Sequence, residues 1–190
     1  IWGETEIVPS SSDLYAVPFS NMVHPFFQQL IDDILIVSSS KKSVSSSAGH
    51  GLMENHPYAE SRYKQAAENM KTLIDAMQTG KKDQFVRVVE NEALSLHGLM
   101  MTSDPGYLLM QPQTLDIINK IQEFRKKTGL FICFTLDAGP NVHIIFHPDD
   151  KSDIQPFIKE SLAPLCENEQ IIFDITGSGP KRLQLDEIEK

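Results

Sequence analysis

A chain of 190 residues, 41% hydrophobic and 23% charged, fits one domain with a proper hydrophobic core. Its 17 basic and 26 acidic residues leave a formal charge of −9. That balance argues against nucleic acid or an anionic membrane as partner, because both need a concentrated basic surface.

The chain opens Ile1-Trp2-Gly3-Glu4, with no initiator Met and in mid-pattern, which predicts a fragment of a longer protein. No signal peptide is expected, and no apolar run approaches the ~18 residues of a membrane span. Residues 3–20 are polar and irregular, with Pro9, Pro18 and a Ser10-Ser11-Ser12 run, and read as a surface loop. Ile34-Leu35-Ile36-Val37 is a short apolar run that suits a buried strand. A serine-rich loop from Ser38 to Gly49 follows.

From Pro57 onward, Tyr63, Ala66, Ala67, Met70, Leu73, Ile74 and Met77 recur at helical spacing until Gly80 stops the helix. Asp83 is the expected N-cap of a second helix, with Phe85, Val88, Val89, Leu96, Leu99 and Met100 on one stripe. Pro105-Gly106 breaks it. Leu115, Ile118, Ile121 and Phe124 predict a third helix closed by Gly129. Phe131 to Leu136 and Val142 to His147 read as two strands. Ser152 with Gln155 fits a capping box for a fourth helix, whose apolar face is Ile154, Phe157, Ile158, Leu162 and Leu165. Ile171, Phe173 and Ile175 alternate as a last strand. Three helices between the first and second strands exclude a pure βαβ alternation. The expected fold is α+β, with helices on one face of a mainly antiparallel four-stranded sheet. Cys133 and Cys166 cannot make a disulfide framework, and Cys133, inside an apolar strand, reads as a reduced, buried thiol, which predicts a cytoplasmic protein.

The most informative stretch is Thr135-Leu136-Asp137-Ala138-Gly139-Pro140-Asn141, set between the two strands. It holds the Asp137 carboxylate at the mouth of a hairpin, followed by residues that build tight turns. Taken alone, Asp137 is better explained as a turn former. The second stretch, Lys41-Lys42-Ser43-Val44-Ser45-Ser46-Ser47-Ala48-Gly49-His50, leaves a strand and leads towards a helix. By composition it is a linker; by position it offers hydroxyls and backbone N–H groups to a phosphate.

With Trp2, these two stretches resemble the C-terminal half of diphosphomevalonate decarboxylases, ATP-dependent enzymes of the GHMP kinase superfamily. The resemblance covers nearly all of this chain and about half of the enzyme. It implies a single GHMP-type C-terminal domain over residues 1–190, a ferredoxin-like sandwich. The N-terminal half would then supply the ATP-phosphate loop and most contacts to ATP and Mg²⁺. By the resemblance, Asp137 is catalytic. Ser46, flanked by Ser45 and Ser47, contacts the substrate diphosphate, and His50 belongs to the same site. Related bacterial enzymes often carry Arg where Ser47 stands and Met where His50 stands; the lost Arg removes a bidentate phosphate clamp, and His50 can compensate as a donor. The implied partners are a small phosphorylated substrate, the chain's own N-terminal domain and a second copy in a homodimer.

Two other readings stand beside this one. A related mevalonate or phosphomevalonate kinase or decarboxylase would share the motifs, and a non-catalytic binding or dimerisation domain would keep the fold alone. An ATP loop encoded ahead of Ile1 discriminates enzyme from binding module. His143 and His147, four apart, lack a third ligand at suitable spacing and read as a solvent-facing strand surface rather than a metal site. His97 falls where the family also carries a histidine, and cleft-lining and packed readings stand level. Thr176-Gly177-Ser178-Gly179-Pro180 reads as a structural turn rather than a phosphate loop.

Overall fold

The computed structural model describes residues 1–40, 51, 53, 56–175 and 177. In chain order they form β1 (Ile31–Leu35), α1 (Ala59–Thr79), α2 (Lys82–Met101), α3 (Pro112–Thr128), β2 (Ile132–Leu136), β3 (Val142–Phe146), α4 (Lys151–Phe157) and β4 (Ile171–Ile172). Among the described residues the strands make one four-stranded sheet in the order β2-β3-β1-β4. Every pairing in it is antiparallel. The α+β architecture expected from the element order is the one observed.

Alternation along the strands builds the core. Ile132, Phe134 and Leu136 of β2, Val142, Ile144 and Phe146 of β3, and Ile31 and Leu35 of β1 share one buried cluster. Ile117, Ile118 and Ile121 of α3 close it, with Ile154 of α4 and the following Ile158 and Leu162. Each such side chain withdrawn from water stabilises the fold by roughly 1.5–3 kcal/mol. Phe131 and Cys133 point to the opposite face and meet Phe27, Phe85 and Ala76 in a smaller aromatic cluster. Both cysteines are free and buried. Burial raises both thiols, Cys166 to about 11, so neither is reactive near neutral pH.

Several boundaries differ from expectation. The first strand runs from Ile31 rather than Ile34, because Asp32-Asp33 conceals the alternation of Ile31, Asp33 and Leu35 towards the core. Asp33 is 2% exposed and takes a hydrogen bond from the backbone of Asp174; burial pushes its carboxyl up to about 6. Ile36 and Val37 are buried but lie past the strand. Asp83 sits inside the first turn of α2, not at its N-cap, which is Lys81. There its charge still favours the helix N-terminus. Leu115 is 48% exposed, and the inward face of α3 is Thr114, Ile117, Ile118 and Ile121. The Ser152–Gln155 box does not form. Pro148 starts a 3₁₀ turn earlier, and the His147 ring caps it by accepting from Asp149 N at 3.2 Å. Pro156 lies within α4, and the chain leaves regular helix just after it for a π turn over Ile158–Leu162. The last strand is a two-residue ladder with one further bridge, Ile31 to Ile175, and leaves Phe173 and Ile175 exposed.

Both predicted glycine stops hold. Gly80 and Gly129 end α1 and α3 at φ +76° and +72°, the left-handed region where a Cβ is penalised. Among the described residues, no helix is long and apolar enough to cross a membrane.

β2 is an edge strand, with backbone groups facing away from β3. Arg125 of α3 donates to Ile132 O at 2.7 Å, and Glu90 of α2 accepts from Phe134 N at 3.4 Å. Glu90 and Arg125 are themselves joined by two bonds of 2.6 and 2.9 Å. This ion pair covers the edge that would otherwise invite another strand, and it fixes α2 against the sheet.

Candidate active site at the β2–β3 turn

The β2–β3 ladder ends at Leu136 paired with Val142, leaving Asp137 to Asn141 as the connection. Gly139 N donates to Asp137 O at 2.7 Å and closes the turn. Three side-chain bonds then hold it. Thr114 Oγ1 of α3 donates to Pro140 O at 2.7 Å. His97 Nε2 of α2 lies 3.1 Å from Asp137 O. Asn141 Oδ1 accepts from Ser38 N at 3.0 Å. Beneath the turn, Ala138 packs on a cluster that includes Met53, Leu99 and Met100. Asp137 is exposed between the buried Leu136 and Gly139, on a support tied to two helices and to the exit of β1.

The bond from Ser38 to Asn141 spans 103 residues of chain and joins the first residue of the serine-rich loop to the Asp137 turn. Glu167 reinforces it: its carboxylate accepts from Ser39 N at 2.5 Å, and its own N–H donates to Ile36 O at 2.7 Å. Hydrogen bonds from the backbone and side chain of Ser39 hold the Glu167 carboxyl below the usual range. The start of the serine segment and the Asp137 turn therefore stand at the same end of the sheet. Ser45, Ser46, Ser47 and His50 lie outside the described residues. So do Thr176, Ser178, Gly179 and Pro180.

The histidines separate. His143, on β3, pairs through Nδ1 with Asp32 at 3.0 Å across to β1. That hydrogen bond raises its pKa, opposed by partial burial and assisted by the charge of Asp137. His147 lies just past β3, stacked on Phe26 at 4.4 Å between centroids. Each ring has its own partner, and with side chains 25% and 13% exposed neither lies on the open strand surface that the spacing predicts. Among the described residues no group of three or more His, Cys, Asp and Glu is placed to hold a metal ion. His97, which its sequence position leaves open between cleft and core, is 1% exposed and so packs, yet its hydrogen bond reaches the turn. Thr114 and Asn141 carried no separate signal, since their roles appear only once distant segments meet.

An exposed carboxylate on a hairpin braced by two helices and by Ser38 at the exit of β1 is suited to taking a proton from a bound substrate. Residues 33–187 match the family model for the mevalonate 5-diphosphate decarboxylase C-terminal domain. The chain belongs to that family.

Among relatives of this decarboxylase domain, a diphosphomevalonate decarboxylase of Aspergillus fumigatus is 26% identical over 137 residues, covering 70% of this chain and 34% of that protein. The solved mevalonate diphosphate decarboxylase of Legionella pneumophila is 26% identical, with a TM-score of 0.68, covering 75% of this chain and 44% of that one. Another solved structure, in complex with MVAPP, AMPPCP and magnesium, shares the fold at 20% identity and a TM-score of 0.66, covering 78% of this chain and 46% of that one. The chain thus spans about a third of the curated relative and less than half of these solved ones.

Proposed function

We propose that this domain is the C-terminal part of an ATP-dependent decarboxylase that converts mevalonate 5-diphosphate to isopentenyl diphosphate, ADP, phosphate and CO₂. The observation that carries this reading is the position of Asp137 on a turn braced by His97, Thr114 and Asn141. Mevalonate 5-diphosphate is a 3-hydroxy acid with no carbonyl β to its carboxylate, so nothing accepts electrons on direct decarboxylation. Phosphorylation of the tertiary 3-hydroxyl makes that oxygen a leaving group. Asp137 takes the hydroxyl proton as the oxygen attacks the terminal phosphate of ATP. Loss of phosphate then leaves positive character at the carbon, which the carboxylate's charge favours. Electrons of the bond to CO₂ complete the alkene.

Ser46, with Ser45 and Ser47, holds the substrate diphosphate, and His50 supplies a further donor in place of the missing arginine clamp. The family likeness assigns the ATP-phosphate loop and most magnesium contacts to the N-terminal half. Reduced, buried cysteines fit a cytoplasmic enzyme. The N-terminal domain and a second copy are the expected protein partners.

The full-length enzyme should release ADP, phosphate and CO₂ in equal amounts from mevalonate 5-diphosphate, ATP and magnesium. This chain alone should release no phosphate above buffer. Sustained turnover by the chain alone would mean that the active site is misplaced, and no turnover by the full-length enzyme would end the reading. Ser46→Ala in the full-length enzyme should act mainly on binding. A hydrogen bond to a charged group is worth roughly 1.5–3 kcal/mol, so KM for the diphosphate should rise about tenfold or more. An unchanged KM would return the segment to a linker.

A further inference from the structure

We infer that His97 is a positioning residue for the proposed reaction: by donating from Nε2 to the main-chain carbonyl of Asp137, it sets where that carboxylate stands. The inference rests on the decarboxylase reading of this site. His97 lies on α2, 40 residues before Asp137 in sequence, and is 1% exposed. Buried to that degree and bonded to the turn, it is placed to influence the reaction through Asp137.

The chemistry of the contact is defined. A carbonyl oxygen only accepts, so Nε2 carries the proton. Burial holds the ring's pKa below the ordinary imidazole range, against the opposing pull of the Asp137 carbonyl and charge. His97 is therefore a neutral donor near neutral pH. The same Asp137 carbonyl also accepts from Gly139 N at 2.7 Å. One bond closes the turn on itself; the other ties it to α2. An aspartate side chain has two torsions, so its carboxylate follows the main chain closely.

The anchor on the helix side is firm. The Glu90–Arg125 pair joins α2 to the backbone of β2, the strand that leads into Asp137. Helix α2 thus meets the hairpin at two places, at Phe134 within β2 and at Asp137 just past it, and the His97 bond is the one at the reacting end. Without it, the turn keeps Thr114, Asn141 and its own Gly139 bond but loses the tie from α2 to its first residue. Misplacement of a reacting group by about 1 Å can cost on the order of 10²-fold in rate. Substrate binding, assigned to the serine segment, should be spared.

The test compares three variants of the full-length enzyme. His97→Gln puts an amide nitrogen near the place of Nε2, His97→Asn stops short of the carbonyl, and His97→Leu has no donor. The Asn and Leu variants should lose roughly 10–10²-fold in kcat, with KM for mevalonate 5-diphosphate within about twofold, while Gln stays within about threefold of wild type. A Leu variant at the wild-type kcat, or Gln and Asn variants with equal kcat, would overturn the inference. Should the Leu variant not fold, Gln against Asn decides, since both bury an amide. Equal Gln and Asn variants in an enzyme that turns over overturn this inference alone. A wild-type enzyme without turnover overturns the decarboxylase reading and this inference with it.

Discussion

Asp137→Asn in the full-length enzyme is expected to lower kcat at least ~10²-fold while leaving the melting temperature nearly unchanged. Removing a positioned general base typically costs about 10²–10⁴ in rate, and loss of its charge adds to that where positive character develops at carbon. Stability should survive for reasons visible around the turn. Asp137 is exposed, and its main-chain carbonyl carries the bonds from His97 and Gly139. The variant keeps that carbonyl, and Asn is itself a good turn residue. Steady-state kinetics and a thermal melt on the same preparation separate the outcomes. Near-normal kcat, or a fall in stability large enough to explain the lost activity, would make Asp137 a turn former only.

The second large effect concerns the edge of the sheet. Arg125→Met should destabilise the domain by about 3–5 kcal/mol, the usual cost of breaking a buried ion pair by removing one partner. The Arg125 side chain is 25% exposed and that of Glu90 10%, so the lower end of that range is the better expectation. The cost arises because Glu90 is left as an uncompensated charge while Ile132 O loses its donor. For a domain of this size each kcal/mol moves the melting temperature by ~2–4 °C, so a drop of roughly 6–12 °C is expected at ~3 kcal/mol. Adding Glu90→Leu to Arg125→Met should recover part of the loss, since no buried charge then remains. A single variant that melts within about 2 °C of wild type would show that water takes over the role of Arg125 at this edge.

What the amino-acid order determined by itself is local. The 3.6-residue recurrence of apolar side chains specified α1, α2 and α3, and Gly80 and Gly129 specified where two of them stop, because only a residue without Cβ enters the left-handed region freely. Alternating β-branched and aromatic residues around Gly139-Pro140-Asn141 specified the β2–β3 hairpin. The family, too, was legible in two short stretches. The start of β1 was not, since Asp32-Asp33 reads as surface until Asp33 is seen buried with the backbone of Asp174 against it. The Ser152–Gln155 box failed because Pro148 had already begun a turn that the His147 ring caps. The ties that make a site of the Asp137 turn come from the tertiary structure alone. His97 is 40 residues away, Thr114 bonds a carbonyl 26 residues on, and Ser38 meets Asn141 across 103. A side chain's periodicity reports which face it occupies, while its hydrogen-bond partner depends on which segments the packed sheet and helices bring within about 3 Å.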